Sequence, residues 1–380
     1  MSTPDLDVSD ADRLELRNSV RRFLDQYSPE SAVRRVMMSE EGYDPTLWAR
    51  LADQLGLTAL IVPDSFEGMG YGWRELGSVM REMGASVYPG PFLSTVFATT
   101  ALLELASESA CASLLPEISA GRTLVSFAAA GNGRTGATRE PLSRVTRDHG
   151  GVLTVSGTLD FVLDAHVADR LIVLTRVGDT DALLSVDVSG VRVTPLLGMD
   201  LTRRLSRVEL SDARAVDITS PSLTPAAVAR CYALMAVALA AEQLGGAERA
   251  FATTIEYLMT RVQFGRVIGS FQAIKHRCAD LAVLIESARA TCEAALDSAE
   301  ANSTDLVLVS HVATASCSDA YLAVARAMIQ LHGGVGFTWE HSAHLHLKRA
   351  KTDQMILGLP AWHRRMVGRL IGLVPVDANQ

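Results

Sequence analysis

The sequence predicts an α+β multidomain chain: an N-terminal α-helical domain, a middle β-barrel or sandwich, and a C-terminal four-helix bundle. Three observations predict it. Apolar residues recur at helical spacing up to about residue 120. Short β-type runs bounded by Gly, Asn, Asp and Pro fill the next stretch. From Pro225 onward, long Ala- and Leu-rich helical periods return, in keeping with the high helix propensity of both residues. The predicted domains are 1–121, 122–220 and 221–380.

The elements follow in order. Asp10-Ala-Asp-Arg-Leu-Glu-Leu-Arg-Asn-Ser-Val-Arg-Arg-Phe-Leu carries apolar residues at helical spacing with charges between them. Leu47 to Leu55 and Trp73 to Met83 repeat the pattern, and Leu47, Leu51 and Leu55 share one face. Val62-Pro-Asp-Ser-Phe-Glu-Gly-Met-Gly-Tyr-Gly is rich in breakers and reads as a loop. Thr123-Leu-Val-Ser-Phe, Val152-Leu-Thr-Val-Ser, Arg170-Leu-Ile-Val-Leu-Thr and Ala182-Leu-Leu-Ser-Val-Asp-Val read as strands. Helices are predicted near 226–259, 271–300, 304–331 and 361–373. Ser270 is placed to cap the helix that starts at Phe271. Pro360 suits a first helical turn. Long Ala-rich amphipathic helices with short connections indicate a bundle that buries further apolar faces against another subunit.

Composition excludes several classes. The chain has 380 residues, 48% of them hydrophobic and only 6% aromatic, so the core is aliphatic. A net charge of −8 without a basic cluster argues against nucleic-acid binding. Cys111, Cys231, Cys278, Cys292 and Cys317 are scattered and match neither a disulfide framework nor a zinc-ligand spacing. The acidic, polar N-terminus is unlike a signal peptide. The longest apolar run, Cys231 to Ala241, is too short to span a bilayer. A cytoplasmic location without a membrane span is the expectation.

Two motifs stand out. The first is Arg261-Val-Gln-Phe264-Gly265, followed by Gly269-Ser-Phe271-Gln272. The second is Gln330-Leu-His-Gly333-Gly334-Val-Gly336. Together they resemble the FAD-cradling signature of the acyl-CoA dehydrogenase family, and the helical, β, helical order resembles that family over nearly the whole chain. The resemblance implies FAD as cofactor and an acyl-CoA thioester as substrate. It implies that Arg261 neutralises the FAD pyrophosphate, where a bidentate cation is favoured. Phe264 then packs on the dinucleotide, and Gln272 hydrogen-bonds phosphate or ribitol. Gln330 with the Gly333-Gly334 pair lines the adenine side, which a Cβ would block. In the family these elements contact the FAD held mainly by a neighbouring subunit. The plain reading of Gly333-Gly334 is a helix C-cap with a tight turn.

The elements that face the flavin ring depart from the family. Its Trp-Ile-Thr-Asn-like run is Phe161-Val162-Leu163-Asp164 here, and Leu163 donates no hydrogen bond. An upstream Thr-Glu-Pro-x-x-Gly-Ser-Asp-like loop is replaced by Ala128-Ala-Ala-Gly-Asn-Gly-Arg-Thr-Gly. Gly131-Asn-Gly133-Arg-Thr-Gly136 in that stretch matches GxGxxG. The residues after it do not make the helix a dinucleotide fingerprint needs, so it reads as a loop.

The family reaction removes an α-proton with a carboxylate base while the β-hydride goes to flavin. One family location of that base aligns with Leu357. The other aligns with Met235, about seven helical turns before Arg261. Neither is a carboxylate. Glu242 lies about two turns beyond Met235 on nearly the same face, roughly 10 Å along the axis. It is the candidate displaced base; its plain reading is a buried structural pair. Asp353 is near the other location but four residues off, and Glu340 reads as a turn-fixing residue. His341, His344 and His346 read as surface and cofactor-edge contacts of a type that similar actinobacterial proteins carry, not as a metal site.

Three functions remain open. The first is a half-site subunit of an α2β2 acyl-CoA dehydrogenase, clamping the FAD of a paralogous catalytic partner. Such pairs in steroid side-chain degradation make bulky acyl-CoAs the analogous substrate class. The second is a self-sufficient homotetramer using Glu242. The third is a non-enzymatic CoA-thioester-binding or scaffold member. The two enzymatic readings need an electron-transfer acceptor.

Overall fold

A computed structural model describes residues 9–129, 144–147, 153–178 and 180–373. The helices, in chain order, are α1 (Asp10–Tyr27), α2 (Glu30–Val36), α3 (Pro45–Asp53), α4 (Trp73–Ala85), α5 (Phe92–Leu105), α6 (Glu108–Ser119), α7 (Pro225–Thr260), α8 (Gln272–Glu300), α9 (Leu306–His332), α10 (Ala343–Asp353) and α11 (Pro360–Leu370). The strands are β1 (Val125–Ala129), β2 (Arg144–Arg147), β3 (Leu153–Leu163), β4 (Arg170–Val177), β5 (Thr180–Asp187), β6 (Arg192–Pro195), β7 (Leu205–Asp217), β8 (Val262–Gln263) and β9 (Arg266–Val267). This is a helical segment, a β segment and a second helical segment, as the sequence predicts.

The chain divides into two compact units. One comprises Met1–Asp10, Arg34–Leu76 and Pro89–Met235; the other comprises Ala11–Val33, Gly77–Tyr88 and Ala236–Gln380.

In the first unit the β segment is one curled seven-stranded sheet, ordered β1-β4-β5-β7-β3-β2 with β6 paired to β7. Among the described strands, only β1 and β4 pair in parallel. The curl is visible in one bond: the Ser126 hydroxyl on β1 donates to the Leu163 carbonyl on β3, although the two strands are not ladder neighbours. Val155, Leu171, Val173, Leu184, Val186 and Val208 form the sheet's core. The helix α3 starts as its sequence dictates. Asp44 accepts from the amides of Thr46 and Leu47, and Pro45 occupies the first turn. Helix α5 is buried on nearly every face. Its Thr95 and Thr100 hydroxyls return to the carbonyls of Pro91 and Val96, so they enter the core without an unmet donor.

In the second unit, α4 and α7 touch backbone to backbone. A Cβ on Gly84 would stand 1.9 Å from the Glu242 carbonyl oxygen, and one on Gly245 would stand 1.8 Å from that of Arg81. The next residue, Gly246, faces α9, where a Cβ would stand 2.4 Å from the Tyr321 ring. Charges follow the same seam. Glu82 accepts from Arg17 and Arg21, and Glu248 from Arg17, Arg81 and Arg289.

Two corrections arise. Ser270 does not cap α8: Phe271 occupies the cap position without a side-chain bond, and the Ser270 hydroxyl donates to the Val267 carbonyl at 2.7 Å. Helices α7 and α9 are long and apolar enough to cross a membrane, which the short run Cys231 to Ala241 did not suggest. Their most apolar windows are 78% and 56% buried inside the fold, the pattern of core helices. Pro360 opens α11 as predicted.

Candidate functional site

Arg261 follows the last residue of α7 and keeps its helical bond to the Tyr257 carbonyl at 2.9 Å. The chain then reverses through β8 and β9, whose register leaves Phe264-Gly265 as a two-residue turn. Both turn residues have positive φ, 53° and 75°. Tight hairpins need this geometry, and Gly supplies it without strain. Phe does not, and yet its ring is 90% exposed. A bulky residue held against its backbone preference and offered to solvent is a functional signature. The ring meets Phe271 edge-on with centroids 6.1 Å apart, and the Arg266 guanidinium lies 4.0 Å over Phe271. Exposed Gln272 opens α8, with its amide 3.0 Å from His276.

The second motif ends α9. Gln330 is exposed, and Gly333 adopts φ 62°, ψ −139°, which only glycine reaches without cost. The two motifs are joined. Tyr257, one turn before Arg261, stacks on His332, one residue before Gly333, with centroids 4.3 Å apart. His341 also packs against His332, with ring centroids 4.2 Å apart. Burial lowers the pKa of His332. Neither Tyr257 nor His332 was singled out from sequence, although His332 lies inside the motif itself. Phe337 and Trp339 follow, 86% and 63% exposed, with Lys348 set 4.1 Å over the Trp339 ring.

The three histidines do different things. His341 stacks on His332, while His344 packs on Trp339. His346 is buried and bonds the Tyr321 hydroxyl at 3.0 Å, so the surface role expected for it is corrected. Burial drives its pKa down to about 3.

Neither base position carries a proton acceptor. Met235 is fully buried. Leu357 is half-buried with φ 58°, beside Gly358 at φ 113°. Behind this turn lies a histidine pair. His311 on α9 and His363 on α11 set their Nδ1 atoms 2.8 Å apart, so one donates and the other accepts. Burial pushes His311 down to about 4; burial and then His311 itself push His363 down to about 3. Unfolded, both titrate near about 6.5. The unfolded chain therefore binds more protons below that pH, and this contribution to stability falls as pH drops from about 6.5 toward about 3. Urea unfolding at stepped pH should show that decline, and His311→Phe with His363→Phe should flatten it. An unchanged slope in the double variant would refute the assignment.

Glu242 is only 3% exposed and committed to a partner. The buried Arg349 guanidinium donates to its Oε1 at 2.7 Å and to the Tyr88 carbonyl at 3.0 Å. Arg349 was not predicted; an Arg in a His- and Lys-rich stretch gives no sequence signal of burial. Asp353 is also buried, at the end of α10.

In the first unit, β3 ends at Leu163, and Asp164 follows in a left-handed conformation with φ 51°. Its carboxylate is 6% exposed and accepts from the Ser94 hydroxyl at 2.8 Å. Sequence reading noted the lost hydroxyl at Leu163 and missed this pair, whose members lie far apart in the chain. The GxGxxG stretch from Gly131 to Gly136 lies outside the described residues.

The acyl-CoA dehydrogenase N-terminal domain model matches residues 10–122, and the acyl-CoA dehydrogenase C-terminal domain model matches 226–372. Acyl-CoA dehydrogenase IpdE2 of Mycolicibacterium smegmatis is 35% identical over 91% of this chain and 94% of its own length. This chain belongs to the acyl-CoA dehydrogenase family. Among solved structures, the ChsE4-ChsE5 complex from Mycobacterium tuberculosis matches with a TM-score of 0.86 and 26% identity, covering 99% of this chain and 100% of that one. The Tcur3481-Tcur3483 steroid ACAD matches with a TM-score of 0.85 and 28% identity, over 95% and 98%.

Acyl-CoA dehydrogenases are flavoprotein oxidoreductases acting on the CH–CH bond of an acyl-CoA. The exposed groups of the second unit's two motifs suit the phosphate and adenosine end of FAD. A Cβ at Gly265, Gly333 or Gly334 would meet nothing of this chain within 4 Å, so these turns face open space. Exposed cation, amide and aromatic groups around such space suit a pyrophosphate and a base held against the surface. In the first unit Leu163 has no side-chain donor, and in the second unit Leu357 has no proton acceptor. Bound FAD supplies the hydride acceptor; Arg261, Gln272 and Gln330 would hold its phosphate and adenosine.

Proposed function

We propose that this chain is the half-site subunit of a heteromeric acyl-CoA dehydrogenase, arranged α2β2. Arg261, Phe264, Gln272, Gln330 and Gly333-Gly334 clamp the FAD of a paralogous catalytic partner. That partner supplies the base and the oxidation of a bulky, steroid-type acyl-CoA. Electrons leave to an electron-transfer acceptor, and the assembly works in the cytoplasm. One contrast carries the reading. The clamp is complete and solvent-facing, while both base positions are apolar and Glu242 is tied to Arg349. Loss of a general base removes about 10²–10⁴-fold of rate, which a partner's carboxylate restores. The two-subunit composition and the steroid label of the structural relatives support the partner and substrate class by analogy.

The test is flavin content. Expressed alone, the chain should be colourless or bind little FAD. Co-expressed with its paralogue, it should give a yellow complex with one FAD per subunit pair. Arg261→Ala should then weaken FAD retention about tenfold or more, the worth of a charge-assisted hydrogen bond. A lone chain carrying one FAD per subunit and oxidising acyl-CoA would sink the proposal.

A further inference from the structure

Apart from the clamp, the second unit holds a cavity of about 230 Å³ between α1, α4 and α7, lined by Arg17, Arg21, Ser86, Glu248 and Arg249 among others. Its two inner carboxylates are already saturated. Glu82 takes Arg17 at 2.6 Å and both nitrogens of Arg21 at 2.9 and 2.8 Å. Glu248 takes Arg81 at 2.7 Å, Arg289 at 3.0 and 2.8 Å, and Arg17 at 3.3 Å. These bonds use Nε and Nη2 of Arg17 and Arg21. The Nη1 groups of both have no protein acceptor among the described residues.

Arg249 makes no hydrogen bond or ion pair at all among the described residues. Three guanidiniums with unused N–H donors therefore share one concave wall. Five arginines (Arg17, Arg21, Arg81, Arg249 and Arg289) stand around one buried carboxylate, Glu82, and one partly buried, Glu248. Of the remaining acids, Asp25 lines the cavity, Glu286 accepts from Arg289 and Glu293 lies 3.8 Å from Arg81; all three are exposed, as are Arg21 and Arg249. A guanidinium fork matches a carboxylate or phosphate in two parallel bonds. At about 30 Å³ per water, the cavity holds one small oxyanion with a few waters.

We infer that this cavity binds a small polyvalent oxyanion, a phosphate or a polycarboxylate, clamped by Arg249 with Arg17 and Arg21. The inference is independent of the half-site reading.

The probes are inorganic phosphate and citrate, titrated calorimetrically into the full chain, in its complex if assembly requires one. Sodium chloride at matched ionic strength is the control. Saturable heat with either anion is expected. Phosphate alone would assign a phosphate ligand, and citrate alone a carboxylate ligand. Arg249→Met removes no internal bond, so it should fold with an unchanged midpoint in chloride and bind at least tenfold more weakly. Arg249→Lys should fall between. Arg261→Ala, at the clamp, should leave this binding unchanged. Heats that follow ionic strength only, or binding equally tight in Arg249→Met, would overturn the inference.

Discussion

Replacing Arg349 with methionine should destabilise the protein by about 3–5 kcal/mol, because it leaves a carboxylate buried without its counter-charge. Glu242 and Arg349 expose 4% and 1% of their side chains, so water cannot repair the loss. The Tyr88 carbonyl loses its donor as well. Replacing both partners together, with Glu242→Leu and Arg349→Met, should recover most of that deficit, since two apolar groups leave nothing unmet. Denaturant midpoints at constant slope are the measurement. The same pair separates two functions. Glu242→Gln keeps the shape of the site and removes the proton acceptor. An assembled enzyme should keep its turnover within tenfold of wild type. Loss of about 10²–10⁴-fold at intact stability would make Glu242 the base.

Gly245→Ala should be nearly as damaging, at about 3 kcal/mol, the upper end for overpacked sites. The added methyl would lie 1.8 Å from the Arg81 oxygen and 2.5 Å from its carbonyl carbon. Both belong to helix backbone, which has no rotamer to escape into. Either α4 moves off α7 or the seam with Glu82 and Glu248 opens. Thermal unfolding of Gly245→Ala beside an exposed control, Ala279→Gly, measures it. A midpoint within 2 °C of wild type would show that the seam yields.

Much of the helical architecture was legible because its pattern is local. The helices predicted at 226–259 and 271–300 are Pro225–Thr260 and Gln272–Glu300 in the structure. The long strand β7 went unread. Ser206, Val208 and Leu210 face the core, but Arg207, Glu209, Asp212, Arg214 and Asp217 lie between and after them, so the run looks like loop. Helix α5 shows the opposite difficulty. Buried almost all round, it has no polar face to reveal a period. At the candidate site, each of the two glycine-containing motifs was legible because its residues are nearly contiguous in sequence. Arg349 with Glu242, Asp164 with Ser94, and His311 with His363 were not. Each pair is made by packing, which no single segment encodes.

The turn at Phe264 has one more consequence. A left-handed aromatic residue carries a penalty of about 1 kcal/mol in the lone polypeptide. Its ring recovers that only when something covers it. In the assembly proposed above, where a partner covers it, folding and association would be thermodynamically linked, and the melting point would become a property of the mixture rather than of the chain.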